Sequence, residues 1–329
     1  MYKIGITHGD VNGIGYEVII KALAEHGMME VCTPVVYGLA KAASYHRKYM
    51  DMPDFSFQFI KNAEQISNKR PNLINIYEEE VKIELGTSTK VAGQLAERAL
   101  VMAGKDLKNN NIDAIVTAPV NKDNIQSDKF KFHGQTEFFE YYFGGTQKAM
   151  MMMVSEDLRV GFATNHEPIG NVTSVLTTEL ILNKLEILNK TLYQDFAVDN
   201  PKIAVLALNP HAGDNGLLGM EEKEIIHPAI EQAFQNKINA FGPFPADGFF
   251  GTGQYRKFDA VLAMYHDQGM IPFKILGREG VNFTAGLPIV RTSPAHGTAY
   301  DIAGKNIADA QSMRNAIYLA LDILKNRNR

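Results

Sequence analysis

Short, wholly apolar runs separated by long stretches of helical periodicity leave this chain few folds to adopt. Ala204-Val205-Leu206-Ala207-Leu208 and Ala260-Val261-Leu262-Ala263-Met264 contain no polar residue at all. A strand that is apolar on both faces must be covered on both, as strands of a mainly parallel sheet are between layers of helix. The spacing predicts further strands at Lys3 to Thr7, Thr33 to Tyr37 and Ala114 to Thr117. Met150 to Val154 and Val160 to Thr164 flank Ser155-Glu156-Asp157 as a hairpin. Helical patterns cover Tyr16 to His26 (stopped by Gly27), Lys41 to Met50, Thr178 to Leu192, and about Asp309 to Lys325. Another covers Thr89 to Leu107, with Val91, Leu95 and Met102 near one face. Ile181, Leu185, Leu188 and Leu192 form an apolar stripe. The class is α/β.

A chain of 329 residues, 45% of them hydrophobic, has material for two α/β lobes and a sizeable core. Its net charge of -4 and lack of a concentrated basic patch argue against a nucleic-acid partner. The single cysteine, Cys32, excludes an internal disulfide and fits a reducing compartment. It is expected to be a small buried residue, and Met150 to Met153 to be core filler. No apolar stretch approaches the ~20 residues of a membrane span. The amino terminus starts a strand at once, without the apolar region of a signal peptide. The expectation is a cytoplasmic protein with no membrane partner.

Three of the nine histidines follow apolar runs directly: His166 after Val160 to Asn165, His211 after Ala204 to Pro210, and His266 after Ala260 to Tyr265. Ligands of open α/β sheets bind beyond the carboxyl ends of strands. Three imidazoles there can converge on one divalent cation and leave positions open for substrate. The other reading of each is a polar loop residue bonded to backbone, and the spacing is no compact HxxxH signature. His211 is followed by the glycine-rich Ala212-Gly213-Asp214-Asn215-Gly216. Asp267 beside His266 can orient its ring, accept a proton, or simply cap a turn. Lys274 and Arg291, with Asn282 between them, suit an anionic substrate. Gly9-Asp10-Val11-Asn12-Gly13-Ile14-Gly15 joins the first strand to the first helix, but it is not GxGxxG. Asp10 would repel phosphate, which leaves this loop a positioning role at most.

Several segments taken in order carry a resemblance. They are Ile6-Thr7-His8-Gly9-Asp10-Val11-Asn12-Gly13-Ile14-Gly15, Val116-Thr117-Ala118-Pro119-Val120-Asn121-Lys122, Leu208-Asn209-Pro210-His211-Ala212-Gly213, Met264-Tyr265-His266-Asp267-Gln268-Gly269, and 277–303. Together they resemble the 4-hydroxythreonine-4-phosphate dehydrogenase family over nearly the whole chain. The resemblance implies a two-lobed isocitrate/isopropylmalate dehydrogenase-like fold with a cleft between lobes. The first lobe would comprise 1–130 plus 290–329, and the second 131–289, with the metal-ligand histidines and the dimer contacts. It implies a homodimer whose active site lies at the subunit interface, with metal ligands drawn from both subunits. It also implies NAD or NADP bound without a Rossmann fingerprint. One divalent ion (Zn, Mg or Co) would sit on His166, His211 and His266. Substrate contacts carry over to Thr136, Lys274, Asn282 and Arg291. Gln135 takes the position of a family histidine in His133-Gly134-Gln135-Thr136-Glu137-Phe138. An amide there can hydrogen-bond but cannot carry charge; His133, two residues earlier, offers an imidazole instead. Asp267 and Asp247 are the candidates for proton transfer. The implied reaction is oxidation of 4-phosphohydroxy-L-threonine to 2-amino-3-oxo-4-phosphobutanoate, which decarboxylates to 3-amino-2-oxopropyl phosphate in vitamin B6 synthesis. The alternative is a relative acting on 4-phospho-threonate or -erythronate, or on a cis-dihydrodiol.

Overall fold

A computed structural model describes every residue of the chain except Lys129 and Arg278. One residue beside the expected lobe boundary at 130/131 and one of the 277–303 motif therefore lie outside the described residues. The strands are β1 (Lys3–Thr7), β2 (Thr33–Gly38), β3 (Gln58–Ile60), β4 (Asn72–Asn75), β5 (Ala114–Thr117), β6 (Met150–Val154), β7 (Arg159–Phe162), β8 (Lys202–Leu206), β9 (Asn239–Phe244), β10 (Ala260–Ala263), β11 (Val281–Ala285) and β12 (Arg291–Pro294). The helices are α1 (Gly15–Leu23), α2 (Met28–Val31), α3 (Ala40–Tyr49), α4 (Lys90–Lys108), α5 (Gln135–Phe143), α6 (Ile169–Val175), α7 (Thr178–Gln194), α8 (His227–Gln235), α9 (Ala246–Gly251), α10 (His266–Leu276) and α11 (Gln311–Arg327). The chain forms two compact units: Met1–Gly145 with Pro288–Leu324, and Thr146–Leu287 with Lys325–Arg329.

In the first unit the strands lie in the order β3-β4-β2-β1-β5-β12, and each paired neighbour is parallel. β2 is buried along its whole length and β1 along all but its first residue, as their apolar content requires. α4 packs on β1, β2 and β5. Its buried side is lined by small residues, Ala92, Ala96, Ala99 and Ala103, with Leu95 and Leu100. The expected stripe is corrected here. Val91 is half exposed, because it sits in the first turn beyond the sheet, and Met102 is only half-buried. Gly93 lets the turn after β5 come close to α4, since a Cβ there would overlap the Asn124 carbonyl. Thr89 caps α4 by accepting from the Ala92 amide. A second correction concerns α1, which stops at Leu23. Gly27, at φ 93, instead precedes the short α2. Cys32 is fully buried, as expected.

Behind β1 a buried ring stack joins this unit's elements. His8 stacks on Tyr16 at 5.4 Å between centroids, and Tyr16 on His46 at 5.1 Å. Tyr16 Oη takes the Leu39 amide at 2.6 Å. Burial holds His8 down at about 4, with a raising backbone contact from Leu95 and a lowering contribution from His46. Burial likewise holds His46 at about 4.

In the second unit the order is β11-β6-β7-β10-β8-β9. β6 pairs antiparallel with both β11 and β7, so the expected hairpin is present, with Met152 opposite Gly161. All four methionines of β6 are buried. β7, β10, β8 and β9 are parallel neighbours. α7 covers this sheet with Ile181, Leu185, Leu188 and Leu192, each fully buried. Among the described residues no helix is long and apolar enough to cross a membrane.

The two buried histidines set a pH dependence. Above about 6.5 both are neutral in either state and contribute no penalty. As pH falls through 6.5 the unfolded chain takes up protons that the folded chain refuses until about 4. Stability therefore drops across that window, by on the order of 3 kcal/mol per histidine, and the loss is complete below it. His46→Phe, which keeps the stack without the titrating ring, is expected to flatten the decline in melting temperature between pH 6.5 and 4. An unchanged slope in that variant would refute the assignment.

Candidate active site

The second unit puts its chemistry along one edge. His166 follows β7, His266 follows β10, His211 follows β8, and Asp247 follows β9. These four strands are consecutive and parallel, so their carboxyl ends fall on the same side of the sheet. His166 and His211 are exposed and His266 is partly so. The His166 and His266 rings lie 6.0 Å apart between centroids, tilted by 34°. His266 Nδ1 is bonded to Asp267 Oδ1 at 2.7 Å. That pairing orients the ring and leaves Nε2 outward. Asp247 stands exposed in the first turn of α9. Among the described residues no three His, Cys, Asp or Glu side chains of one chain close around a common point.

The turn holding His211 is unusual. His211, Ala212, Gly213, Asp214 and Asn215 all have positive φ, from 41 to 77°. Each non-glycine residue in this left-handed region costs about 1–2 kcal/mol, so the surroundings must impose it. They do so through side chains that sequence reading missed. Glu222, 4% exposed, accepts from the Leu208 and Asn209 amides at 2.9 and 2.7 Å and from Asn209 Nδ2 at 3.0 Å. Glu221 takes the same Asn209 amide group at 2.7 Å, and Lys223 Nζ donates to the Asn215 carbonyl. Gln268 spans two strand ends: its Oε1 accepts from the Met264 amide at 2.8 Å and its Nε2 donates to the Ala207 carbonyl at 2.6 Å. Gln268 lies inside a conspicuous motif, whereas nothing in the sequence linked Glu222 to His211.

The remaining candidates of this unit lie on α10 and β11. Lys274 is exposed in the last turn of α10. Asn282 is half-buried on β11, and its Oδ1 is buried without a hydrogen-bond partner among the described residues. A carbonyl oxygen in that state is suited to a donor brought by a ligand.

The first unit holds the other group. Arg291 opens β12 and is 3% exposed. Its Nε and Nη2 donate to Thr117 Oγ1 at 3.1 and 2.6 Å, and Nη2 also donates to Gln135 Oε1 at 3.3 Å. The guanidinium lies 5.9 Å from the Phe139 ring centroid. Burial pushes it down to about 10, opposed by the Glu137 charge, so it stays a cation at neutral pH. Gln135 Nε2 donates to the Ala118 carbonyl. Gln135 and Thr136 are the first residues of α5, whose cap, Gly134, supplies no side-chain bond. Amides at a helix start favour negative charge, and here the first turn already carries the Glu137 carboxylate, whose charge acts on Arg291. His133 is exposed, and the residue that meets Arg291 is Gln135.

The β1–α1 loop is tied down by its own hydrogen bonds. Asp10 accepts from the Asn12 amide, from Asn124 Nδ2 and from Tyr300 Oη at 2.7–2.9 Å. Tyr300 is pushed up to about 12 by burial and by its bond to Asp10. The amides of Asp10, Gly13 and Ile14 are committed to Pro119, Asp10 and Thr298 carbonyls. These bonds and that of the Asn12 amide to Asp10 tie up four amides of the loop.

The family described as pyridoxal phosphate biosynthetic protein PdxA matches residues 30–320, and the chain belongs to it. It is 50% identical over 328 residues to a 4-hydroxythreonine-4-phosphate dehydrogenase of Bacteroides thetaiotaomicron, covering 99% of this chain and 90% of that one. It is 40% identical, over 97% of both chains, to an Oceanobacillus iheyensis protein provisionally named D-threonate 4-phosphate dehydrogenase. Its fold matches a 4-hydroxythreonine-4-phosphate dehydrogenase from Klebsiella pneumoniae at TM-score 0.83, with 35% identity and 98% coverage of each chain. An isocitrate dehydrogenase from Methylococcus capsulatus, at TM-score 0.53 and 12% identity over all of this chain and 87% of that one, shares the fold alone. The α/β class and its isocitrate dehydrogenase-like architecture are thus as expected.

Gln268→Ala would strip the Met264 amide and the Ala207 carbonyl of their side-chain partner. The expected cost is about 1–3 kcal/mol, read as a fall of several degrees in melting temperature. A variant melting with the wild type would show that water replaces both bonds.

Proposed function

We propose that this member of the PdxA family oxidises 4-phosphohydroxy-L-threonine with NAD or NADP as hydride acceptor. The product is 2-amino-3-oxo-4-phosphobutanoate, which loses carbon dioxide to give 3-amino-2-oxopropyl phosphate. The observation that carries this reading is the sequence of His166, His266, His211 and Asp247 behind four consecutive parallel strands.

The donor set suits a divalent ion. Imidazole nitrogens favour zinc or cobalt over magnesium, which prefers oxygen. His266 offers Nε2 because Nδ1 is engaged by Asp267, and a 6.0 Å centroid spacing to His166 is within the reach of two rings on one ion, with bonds of about 2.0–2.1 Å each. The ligands of this reading are His166, His211 and His266, and the second copy of a homodimer supplies what one chain does not bring together. The ion's contribution is Lewis-acid polarisation of the reacting hydroxyl and of the ketone that follows.

The chain's own residues do the rest. Arg291, with Thr136 and the first amides of α5, grips the phosphate, and Lys274 adds a compact positive charge. Asn282 Oδ1 accepts from the substrate's ammonium or hydroxyl group. Asp247 takes the hydroxyl proton while hydride leaves the same carbon for the nicotinamide ring, so the O–H electron pair becomes the new carbonyl bond. Asp267 is assigned to orienting His266, since its carboxylate is already bonded to that ring. The new ketone lies β to the carboxylate and accepts the electrons released with carbon dioxide.

A second reading takes 4-phospho-threonate or -erythronate as substrate. It is favoured by Gln135 at the family's histidine position and by the similarity to the Oceanobacillus iheyensis protein.

A coupled assay of NADH formation separates these readings. Turnover of 4-phosphohydroxy-L-threonine is expected, abolished by chelator and restored by zinc or cobalt. His211→Ala should be inactive yet folded. Arg291→Lys should raise KM by roughly 10- to 100-fold through loss of charged hydrogen bonds. Full turnover in chelator would remove the metal from the mechanism. Faster turnover of 4-phospho-D-threonate would hand the substrate to the second reading.

A further inference from the structure

We infer that Glu222 is a positioning residue that acts on metal binding through His211, an inference that rests on the metal reading above. The left-handed run from 211 to 215 is separated by Pro210 alone from Leu208 and Asn209, whose amides both point at one oxygen of the Glu222 carboxylate. The other oxygen holds the Asn209 side chain. The carboxylate therefore fixes the chain at the point where β8 gives way to the turn, and with it the direction in which His211 leaves the sheet.

Two further contacts tighten this geometry. Gly213, at φ 77 in the middle of the turn, packs so closely that a Cβ would lie 2.7 Å from Glu222 Oε2. Glu222 also begins the helical segment Glu222–Ile226 that runs into α8, and Leu218 returns its amide to the Gly213 carbonyl. The turn is thus held against a rigid element at its start and its middle. Glu222 itself is buried, and its three side-chain bonds are all to the two residues that lead into this turn, so its role is to shape the turn and not to touch substrate or ion.

The test uses cobalt(II) alone as probe, titrated into the metal-free full-length protein and read by its visible absorption and by calorimetry. Glu222→Ala is expected to weaken cobalt binding by about 10- to 100-fold and to alter the absorption band, as loss of a ligand's supporting partner does. Glu222→Asp keeps the charge but falls one methylene short of both amides, and should behave like Glu222→Ala. Glu222→Gln loses the charge but keeps an acceptor for both amides. It should stay within about fivefold of wild type, the worth of one neutral hydrogen bond. The double variant His211→Ala/Glu222→Ala should bind no more weakly than His211→Ala, because the second change acts only through the first. If Glu222→Ala fails to fold, the Asp and Gln variants carry the same contrast. Wild-type cobalt affinity in Glu222→Asp, or equal losses in Asp and Gln, overturns the positioning role while a deficient His211→Ala leaves the metal site standing. Wild-type affinity in His211→Ala overturns the metal reading itself.

Discussion

The parallel pairing of β7, β10, β8 and β9 is the constraint from which the chemistry of the second unit follows. Parallel strands all leave the sheet at the same edge, so residues far apart in sequence end up behind neighbouring strands. The pairing is held in register by apolar contacts buried on both faces: Val261 sits opposite Val160 on one side and Ala204 on the other. A one-residue slip would move every side chain of a strand to the opposite face. Because β10 is flanked by partners and buried at all four positions, such a slip would exchange Val261 and the small Ala263 between unlike close-packed surroundings, and its cost is one of packing. The row of His166, His266, His211 and Asp247 is a consequence of that register.

The edge of the sheet is where local preference is overruled. Four non-glycine residues in left-handed conformation around His211 could not persist in a free peptide. They persist because the buried Glu222 carboxylate fixes the backbone that leads into the turn and the exposed Lys223 ammonium holds the Asn215 carbonyl, which leaves the backbone few other ways to satisfy its polar groups. The surplus stability that permits this resides in the apolar strands and in α7. In the first unit the same division holds. Arg291 is taken out of water at a cost, and Thr117, Gln135 and the Phe139 ring offset part of that cost.

Much of this was legible in the chain. The wholly apolar runs named β8 and β10 and their parallel state, the hairpin of β6 and β7 lay where Ser155-Glu156-Asp157 suggested, and the stripe of α7 was read to the residue. The placement of three histidines behind strands was also readable, because strand and histidine are adjacent in sequence. What periodicity could not supply were long-range polar contacts. Glu222 and Gln268 reach backbone groups that carry no side-chain signal, and Asp10 finds its partners in Asn124 and Tyr300. The misread face of α4 has a related cause. Alanines weigh little in a hydrophobic pattern, yet they are what lets that helix approach β1 and β5, while the heavier Val91 points away. Gly27 was read as a helix stop on its identity alone, when its left-handed backbone serves to start α2.

Gln135 bears on how charge is managed beside Arg291. A histidine at that position would carry charge only when protonated, so the field around the guanidinium would change across the physiological range. Gln135 presents a neutral carbonyl to Arg291 at every pH and ties its own amide to the Ala118 carbonyl. The cation's strength is then set by burial, which leaves it charged well above neutrality. The amide also preserves both hydrogen-bond polarities at one side chain. Glutamine at 135 therefore fills the corner beside Arg291 with two hydrogen bonds and no titrating group.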